Sequence, residues 1–312
     1  MTFELTVLGS SSALPTSTKY PAAHVLNVHE RFFLIDCGEG TQIQLRKARF
    51  RFGRINHIFI SHLHGDHVFG LPGLLSSFDL LGRKTPLHLY GPPDLQIMLD
   101  FYLRNFAVEP EYQIILHPVS EPHYHKIFED KVLEIYAFPL EHRIPTLGYH
   151  FVEKQRPLNI RKDRIEKYNL SIKQIVRAKM GEAVTLDNGQ VISNAELTEI
   201  PYRRRSFAYC SDTAFCRKNA SLIRPVDLLY HEATFLEEDY ILAKKTGHST
   251  AAQAGRFAIA AQAGQLVIGH FSNRYKDTGL FLKEAAEVFP DTREAVELQT
   301  YRIDLQKEPR SS

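Results

Sequence analysis

The feature that most constrains this chain is a polar, histidine-rich segment directly after a short apolar strand. The run Ile58-Phe59-Ile60 has β-type residues and leads into Ser61-His62-Leu63-His64-Gly65-Asp66-His67. Loops that follow strands are where functional side chains collect, because a rigid sheet positions them. Imidazole and carboxylate together suit zinc, iron or manganese. The segment therefore predicts a metal site at the end of a sheet.

The spacing within this segment indicates more than one ion. Alternation along an extended chain places His62 and His64 on one side. Gly65 allows the backbone to turn, so that Asp66 and His67 point elsewhere. The alternative is a polar turn whose histidines bind no metal, since a single histidine is more often structural than a ligand. Four such groups in this order favour metal binding, with two adjacent ions.

Three further polar residues each follow an apolar strand and could complete the site. They are His142, Asp212 and His270. Each one alone is a weak signal, because Asp after a strand is usually a turn or cap residue. Together they predict ligands that converge at one edge of the sheets.

Composition sets the class of protein. The chain has 312 residues, of which 44% are hydrophobic and 24% charged, which is typical of a globular protein. The net charge of +2 neither demands nor excludes a nucleic-acid partner. No apolar run approaches the roughly 18 residues of a membrane helix, so we expect a soluble cytoplasmic protein without membrane contact. Cys37, Cys210 and Cys216 form no metal pair or disulfide pattern and are expected to be small buried hydrophobes.

Apolar runs and helical patterns alternate along the chain, which predicts a layered α/β sandwich. Strands are predicted over residues 4–8, 23–28, 32–36, 57–61, 87–90, 133–138, 147–152, 206–210, 227–230, 265–268 and 296–304. Helices are predicted over 38–48, 71–81, 94–105, 236–245, 250–263 and 278–288. No phosphate-binding glycine loop or dinucleotide fingerprint is present, so we expect no nucleotide cofactor.

The stretch 151–180 differs in character from the rest of the chain. It carries nine Lys or Arg against three Asp or Glu, with helices predicted near 161–168 and 171–180. Such a run is ordinarily a solvated helical face. Phosphate contacts from such a surface would supply affinity for nucleic acid. We interpret it as an inserted basic arm, whose cations are Lys154, Arg156, Arg161, Lys162, Arg164, Lys167, Lys173, Arg177 and Lys179.

The order of motifs resembles the metallo-β-lactamase superfamily and, within it, the ribonuclease Z family of tRNA 3′-processing endonucleases. The likeness extends from Glu4 to about Asp304. Besides the histidine run, its marks are Leu8-Gly9-Ser10, Ile35-Asp36-Cys37-Gly38-Glu39-Gly40-Thr41-Gln42, Gly70-Leu71-Pro72-Gly73, Pro145-Thr146-Leu147-Gly148-Tyr149, His231-Glu232-Ala233-Thr234-Phe235, His248-Ser249-Thr250 and Gly269-His270-Phe271-Ser272-Asn273-Arg274-Tyr275. The histidine run specifies only the superfamily, whereas the segments around Glu232 and His248 point to ribonuclease Z.

The resemblance implies a fold and a ligand set. The fold would be a four-layer αβ/βα sandwich, with residues 1–312 as one catalytic domain and an exosite-like arm at about 153–202. Two Zn²⁺ ions per subunit are implied, with Mn²⁺ or Fe²⁺ as alternatives. One ion would take His62, His64 and His142; the other would take Asp66, His67 and His270; and Asp212 would bridge them.

The resemblance also implies catalytic roles. Asp66 would be a proton acceptor as well as a ligand, and His248 would be a proton donor positioned by Glu232. The alternative for His248 is a neighbour of a helix N-cap, because Ser249 or Thr250 could start the alanine-rich helix.

Some supporting residues are assigned with less specific signals. Asp36 either hydrogen-bonds a ligand imidazole or caps a loop. His231 is interpreted as a packing residue.

The implied function is a zinc-dependent endoribonuclease that removes the 3′ trailer from precursor tRNA. Substrate contacts would come from Arg274 near His270, and from Lys173, Arg177 and Lys179 on the arm, with Arg203-Arg204-Arg205 adding to the arm. The family pattern also implies a homodimer in which one subunit's arm serves the other's site.

Two departures from the family pattern concern recognition of RNA. A Pro-x-Lys-x-Arg-Asn segment is replaced here by Pro15-Thr16-Ser17-Thr18-Lys19-Tyr20-Pro21, and the arm lacks a Gly-Pro step. Two alternatives stay open. One is a superfamily hydrolase of a small phosphodiester, sulfate ester or lactone, and the other is a non-catalytic metal-binding nucleic-acid module.

Overall fold

The computed structural model describes residues 1–106, 109–120 and 122–307. The chain forms two units. The first comprises Met1–Val152 and Ser206–Ile303, and the second comprises Glu153–Arg205 with Asp304–Ser312. No helix within the described residues is both long enough and apolar enough to cross a membrane.

Two seven-stranded sheets form the first unit. Numbered in chain order, the strands of the first sheet are β1 (Phe3–Gly9), β2 (Ala23–Val28), β3 (Arg31–Ile35), β4 (Ile55–Phe59), β5 (Leu87–Gly91), β6 (Ile114–Pro118) and β18 (Thr300–Arg302). Their spatial order is β18-β1-β2-β3-β4-β5-β6, with β3 to β6 parallel.

The second sheet has the spatial order β17-β16-β15-β14-β9-β8-β7. Its strands are β7 (His125–Glu129), β8 (Leu133–Leu140), β9 (Thr146–Glu153), β14 (Ser206–Cys210), β15 (Val226–Glu232), β16 (Ala263–Gly269) and β17 (Thr292–Glu294). Strands β14 to β17 are parallel, so the residues after β14, β15 and β16 meet at one edge of this sheet.

Helices cover the outer faces of both sheets. In the first unit they are α1 (Thr41–Lys47), α2 (Gly65–Val68), α3 (Leu71–Leu80), α4 (Leu95–Asn105), α8 (Arg217–Leu222), α9 (Tyr240–Thr246), α10 (Ala251–Ala260) and α11 (Gly279–Val288). One apolar cluster lies between the sheets, where Phe59 and Phe151 pack together. A second joins the first sheet to α3 and α4, and a third joins the second sheet to α10 and α11. The predicted four-layer α/β sandwich is therefore confirmed.

Several predicted elements differ from the structure. The helix predicted over 38–48 begins only at Thr41, because Gly40 has a left-handed φ of 82° that cannot belong to a helix. The helix predicted over 236–245 is a 3₁₀ turn at Glu237–Asp239 followed by α9. The strand predicted over 296–304 is only the three residues of β18. Cys37 and Cys210 are buried as predicted, whereas Cys216 is half-buried.

The second unit is built from short elements. They are β10 (Asn159–Ile160), α5 (Lys162–Tyr168), α6 (Ile172–Lys179), β11 (Val184–Thr185), β12 (Val191–Ile192), α7 (Asn194–Leu197) and β13 (Thr198–Glu199). Their apolar cluster is small and includes Leu170, Ala178 and Leu197. Ser171 caps α6 in a reciprocal pair of hydrogen bonds with Gln174, as the polar start of that helix allows.

An ion pair closes the second unit at its two ends. The side chains of Glu153 and Arg205 are both buried. The Arg205 guanidinium donates from Nε and Nη2 to the Glu153 carboxylate, at 3.0 and 2.7 Å. The expectation that Arg205 adds to an RNA-binding surface is therefore wrong, because its charge is buried and paired. Arg203 and Arg204 are exposed.

Candidate metal centre

Residues directly after four strands meet at the candidate site. The segment after β4 extends to His64 and then turns into the short helix α2, which carries Asp66 and His67. A Cβ at position 65 would lie 2.3 Å from the ring of Phe69, so a larger residue there would displace this ring. The other contributors are His142 after β8, Asp212 after β14 and His270 after β16.

The structure brings the first predicted ligand group together. One donor atom from each of His62, His64, His142 and Asp212 lies within 4.8 Å of the others. His62 Nε2 is 3.1 Å from His64 Nδ1, and His142 Nε2 is 3.3 Å from the same atom. The carboxylate of Asp212 faces this group through Oδ2, at 3.5 Å from His62 Nε2.

A second group lies beside the first. Donor atoms of Asp66, His67 and His270 lie within 4.8 Å of one another. His270 Nε2 is 3.2 Å both from Asp66 Oδ2 and from His67 Nε2. Asp212 faces this group through its other oxygen, Oδ1, at 3.3 Å from His67 Nε2 and 3.2 Å from His270 Nε2. One buried carboxylate therefore presents one oxygen to each group.

The electrostatics of these groups fit bound cations. Burial and the neighbouring histidines His62 and His142 lower the pKa of His64 to about 4, so its ring is neutral and can act as a ligand. Burial would also lower the pKa of His67, but Asp212, Asp36 and Asp66 raise it well above its ordinary value. The carboxylates thus draw positive charge into a pocket where several imidazole nitrogens face each other, which is the environment that metal ions satisfy.

Buried partners fix the orientation of the imidazoles. Asp36 Oδ2 lies 2.8 Å from His67 Nδ1, and this carboxylate also accepts hydrogen bonds from Ser61 and from the Tyr209 hydroxyl at 2.6 Å. The hydrogen bond expected between Asp36 and one of these imidazoles is therefore present. His142 Nδ1 donates to the carbonyl of Gly247 at 2.7 Å. Such contacts direct each Nε2 toward the pocket.

Thr234 provides the corresponding contact on the other side of the site. Its hydroxyl lies 2.9 Å from His270 Nδ1 and 2.7 Å from Glu232 Oε2. No role was predicted from the sequence for Thr234 or for Tyr209. Both are distant in sequence from the histidines that they support, and no local pattern indicates the contact.

The buried Glu232 and the half-buried His248 form a pair at the same edge. His248 Nδ1 lies 2.9 Å from Glu232 Oε1. The carboxylate also accepts the backbone N–H groups of Thr213, Thr234 and Ser249 at 2.9–3.0 Å. Burial lowers the pKa of His248, but Glu232 outweighs it and raises this pKa to about 9. A protonated imidazole beside the metal groups can act as a general acid.

The alternative interpretation of His248, as a neighbour of a helix cap, is also true. Thr250 is the N-cap of α10, and its side chain accepts a hydrogen bond from the Gln253 N–H. The cap fixes the backbone two residues beyond His248. It leaves the imidazole free to pair with Glu232.

A cavity of about 450 Å³ opens onto the two groups. Its lining includes Asp66, Asp212, His248 and His270, together with Arg143, for which the sequence indicated no role. Arg143 is exposed and carries its charge directly beside His142. The ring of Phe69, which is 68% exposed, also lines the cavity.

The residues predicted to contact substrate lie in different surroundings. The Arg274 guanidinium lies over the Phe235 ring and 3.9 Å from the Asp239 carboxylate, so its charge is partly compensated. Lys173 and Arg177 are exposed on α6, and Lys179 is half-buried near the end of that helix.

The remaining buried histidines lie outside the site. His231 is buried, lies 2.7 Å through Nδ1 from the Glu232 carbonyl and packs on Phe257, which agrees with a packing role. His150 is buried next to Tyr124, and burial lowers its pKa to about 3.

Comparison with known proteins places the chain in a family. Residues 3–114 match the family model of the anti-Pycsar protein Apyc1, and residues 181–271 match a β-lactamase superfamily domain. Ribonuclease Z of Bacteroides fragilis is 47% identical over 93% of this chain and 95% of the relative. Ribonuclease Z of Porphyromonas gingivalis is 45% identical over 97% of this chain and 99% of the relative.

A solved structure agrees with these relatives. The crystal structure of the short form of human tRNase Z is 28% identical, with a TM-score of 0.71 over 96% of this chain and 99% of the human chain. The chain belongs to the ribonuclease Z family of the β-lactamase superfamily.

Proposed function

We propose that this chain is a zinc-dependent endoribonuclease that removes the 3′ trailer from precursor tRNA by two-metal phosphodiester hydrolysis. The observation that carries the proposal is the position of Asp212, which offers one oxygen to each of two ligand groups beside the Glu232–His248 pair. A site that only bound metal would have no use for a proton donor paired with a buried carboxylate. The names of the relatives, ribonuclease Z and tRNase Z, supply the substrate class.

The donor set suits two ions. His62, His64 and His142 would hold one, and Asp66, His67 and His270 would hold the other, with Asp212 shared. Mixed nitrogen and oxygen donors of this kind favour Zn²⁺, and Mn²⁺ or Fe²⁺ could take the same positions. When bound, two such ions lower the pKa of a water molecule and polarise a phosphate oxygen.

Two side chains of this protein would transfer the protons of the reaction. Burial alone would raise the pKa of Asp66, but His67 and His270 outweigh it and lower this pKa, so the carboxylate stays charged. It would accept the proton of the attacking water because bound ions make that water more acidic. The water oxygen bonds to phosphorus, and the bond from phosphorus to the 3′ oxygen breaks. His248 gives its proton to that leaving oxygen, and Glu232 holds the ring in place through Nδ1. The products are a 3′ hydroxyl on the tRNA and a 5′ phosphate on the trailer.

The second unit would bind the RNA backbone as an exosite arm at about 153–202. Lys173, Arg177 and Lys179 lie on α6, and contacts from such side chains to phosphate give affinity without reading sequence. Arg274 in the first unit would add a contact closer to the chemistry. We also propose that two chains pair as a homodimer and that the enzyme works in the cytoplasm, where its substrate is made.

Cleavage of a precursor tRNA with a defined 3′ trailer tests the proposal. Protein loaded with Zn²⁺ should release the trailer in one cut, and protein treated with chelator should regain this activity only when metal is restored. Mapping the ends separates a 3′ hydroxyl on the tRNA from a 3′ phosphate. Failure of fully loaded protein to cut any precursor, with intact hydrolysis of a small phosphodiester such as bis(p-nitrophenyl) phosphate, would support the small-substrate alternative instead.

A further inference from the structure

A backbone group outside both ligand groups contacts Asp66. The N–H of Ala13 donates to Asp66 Oδ2 at 2.7 Å. Ala13 belongs to the loop after β1, and its φ of 62° lies in the left-handed region. Residues with a Cβ rarely adopt this conformation, because the Cβ crowds the backbone there. Something else in the structure must therefore hold Ala13 in place.

The loop is anchored to the segment that carries His270. Ser12 N–H donates to the Phe271 carbonyl, and Phe271 N–H donates to the Ser10 carbonyl, both at 3.1 Å. These backbone contacts fix the part of the loop that precedes Ala13. The part that follows Ala13 is tied to the same segment through a side chain.

Asn273 is that side chain, and it connects both sides of Ala13. Its Nδ2 donates to the Leu14 carbonyl at 2.9 Å and to the Ser12 carbonyl at 3.3 Å. Its Oδ1 accepts the Ser11 hydroxyl at 3.0 Å. The donor end of this amide thus contacts the two residues that flank Ala13, and its acceptor end contacts Ser11.

We propose that Asn273 is a positioning residue that holds Ala13 in its left-handed conformation, so that the Ala13 N–H orients the carboxylate of Asp66. The proposal rests on the proposed function in assigning Asp66 a catalytic role. The hydrogen bond ties down Oδ2 and so limits rotation of the carboxylate. Asn273 acts indirectly on Asp66, because it contacts the loop and not Asp66 itself.

Two substitutions distinguish the contribution of the amide donor of Asn273 from that of its acceptor. Asn273→Ala removes all three hydrogen bonds, whereas Asn273→Asp keeps the size and the acceptor but has neither N–H donor. Each should lower kcat on precursor tRNA about 10-fold, the effect expected when hydrogen bonds that orient a charged group are removed. The loss should lie in kcat more than in KM, because the carboxylate that the loop orients acts in the chemical step. An Asn273→Asp enzyme as fast as wild type would contradict the role of the donors.

A compensating substitution tests the mechanism. Glycine adopts the left-handed region without strain and keeps its N–H. Ala13→Gly introduced into Asn273→Ala should therefore recover at least about threefold in kcat. If Asn273 only stabilises the fold, the second substitution restores no kcat, and that result would overturn the proposal.

Two further measurements need no substrate, so they judge the proposal even if precursor tRNA is not cleaved. Zinc competition with a chelator should show binding weakened by about 10-fold in Asn273→Ala, as for other residues that orient ligands. The Ala13 amide proton of the metal-free protein should move upfield in both Asn273→Ala and Asp66→Ala. An Ala13 amide that does not respond to Asp66→Ala would show that this hydrogen bond is absent in solution.

Discussion

The candidate metal centre and the second unit are organised in opposite ways. In the centre, Asp36, His67, Asp212 and Glu232 are buried, and each contacts residues far away in sequence. In the second unit, strands have two residues each, and the predicted RNA contacts are solvent-accessible side chains on a single helix, α6. The centre depends on the whole sandwich, whereas the surface of α6 depends on local sequence.

This contrast predicts different consequences of substitution. Buried groups that share partners cannot be removed singly without disturbing their neighbours. A substitution in the centre should therefore lower activity strongly and should also lower the amount of bound metal. Exposed cations act separately and are screened by salt, so damage in α6 should be modest, additive and visible in substrate affinity.

Asp212→Asn should have the largest effect. The amide keeps the shape but removes the charge that both ligand groups share, and its NH₂ would point at imidazole nitrogens. We expect activity to fall by more than the roughly 100-fold that loss of an outer metal partner costs, together with loss of bound zinc. Metal analysis and single-turnover cleavage measure both effects. Asp291→Asn, at an exposed carboxylate 3.5 Å from Arg293, is the matched control and should change neither. A variant with full zinc content would show that Asp212 is not a ligand.

His248→Ala should affect turnover without affecting metal. Loss of a general acid ordinarily costs about 10²–10⁴-fold, and His248 would not be needed to hold either ion. Because Glu232 raises the pKa of His248 to about 9, the acid form persists up to that pH and is lost above it. The wild-type rate should therefore fall above about pH 9, and the variant should lack this decline. Zinc missing from His248→Ala would assign the residue to the ligands instead.

The sequence predicted the parts of the site that are local. The candidate ligands lie in segments that follow apolar strands, and alternation around Gly65 separated His62 and His64 from Asp66 and His67. That logic needs only the strand and one turn.

Contacts between distant segments could not be predicted in the same way. The Tyr209 hydroxyl reaches Asp36 across 173 positions, and the Ala13 contact to Asp66 is made by a backbone N–H, which carries no residue-type signal. Arg205 looked like part of a basic run, but its pairing with Glu153 depends on how the second unit closes. The edge strands β6, β7 and β17 were missed because their side chains are only partly buried and give weak patterns.

Acid should lower the stability of the first unit through a buried histidine, and this effect should be absent from the second unit. Burial lowers the pKa of His150 to about 3, so the folded first unit keeps it neutral while the unfolded chain takes up a proton near pH 6.5. The stability of the first unit is then complete above about pH 6.5 and decreases as the pH falls toward 3, by at most about 1.4 kcal/mol per pH unit for this group. Residues 153–205 contain no histidine and should lack this dependence.

Hydrogen exchange between pH 7 and 4.5 measures the acid response unit by unit. His150→Gln keeps an acceptor for the Tyr124 hydroxyl, which lies 2.9 Å from His150 Nδ1, and should make the pH dependence of the first unit shallower. An equal loss of protection in residues 153–205 would show that the two units do not respond separately.

Removing the α6 cations should have the smallest effect. The combined substitution of Lys173, Arg177 and Lys179 by alanine should raise KM for precursor tRNA by about 10-fold at low salt, and should leave kcat and hydrolysis of bis(p-nitrophenyl) phosphate unchanged. The dependence of log KM on log salt should become shallower by about 0.7 for each phosphate that the protein no longer neutralises. Lys131, Lys283 and Arg302 of the first unit, changed together to alanine, are the control for net charge.

Among these three cations, Arg177 should contribute least to binding of precursor tRNA. Its Nε is 2.6 Å from the Glu182 carboxylate, and this ion pair must separate before the guanidinium can contact a phosphate. Glu182→Ala should therefore lower KM slightly, and this gain should vanish when Arg177 is already alanine. A triple variant with unchanged KM but reduced kcat would reverse the comparison, since it would make α6 part of the chemistry and not of binding.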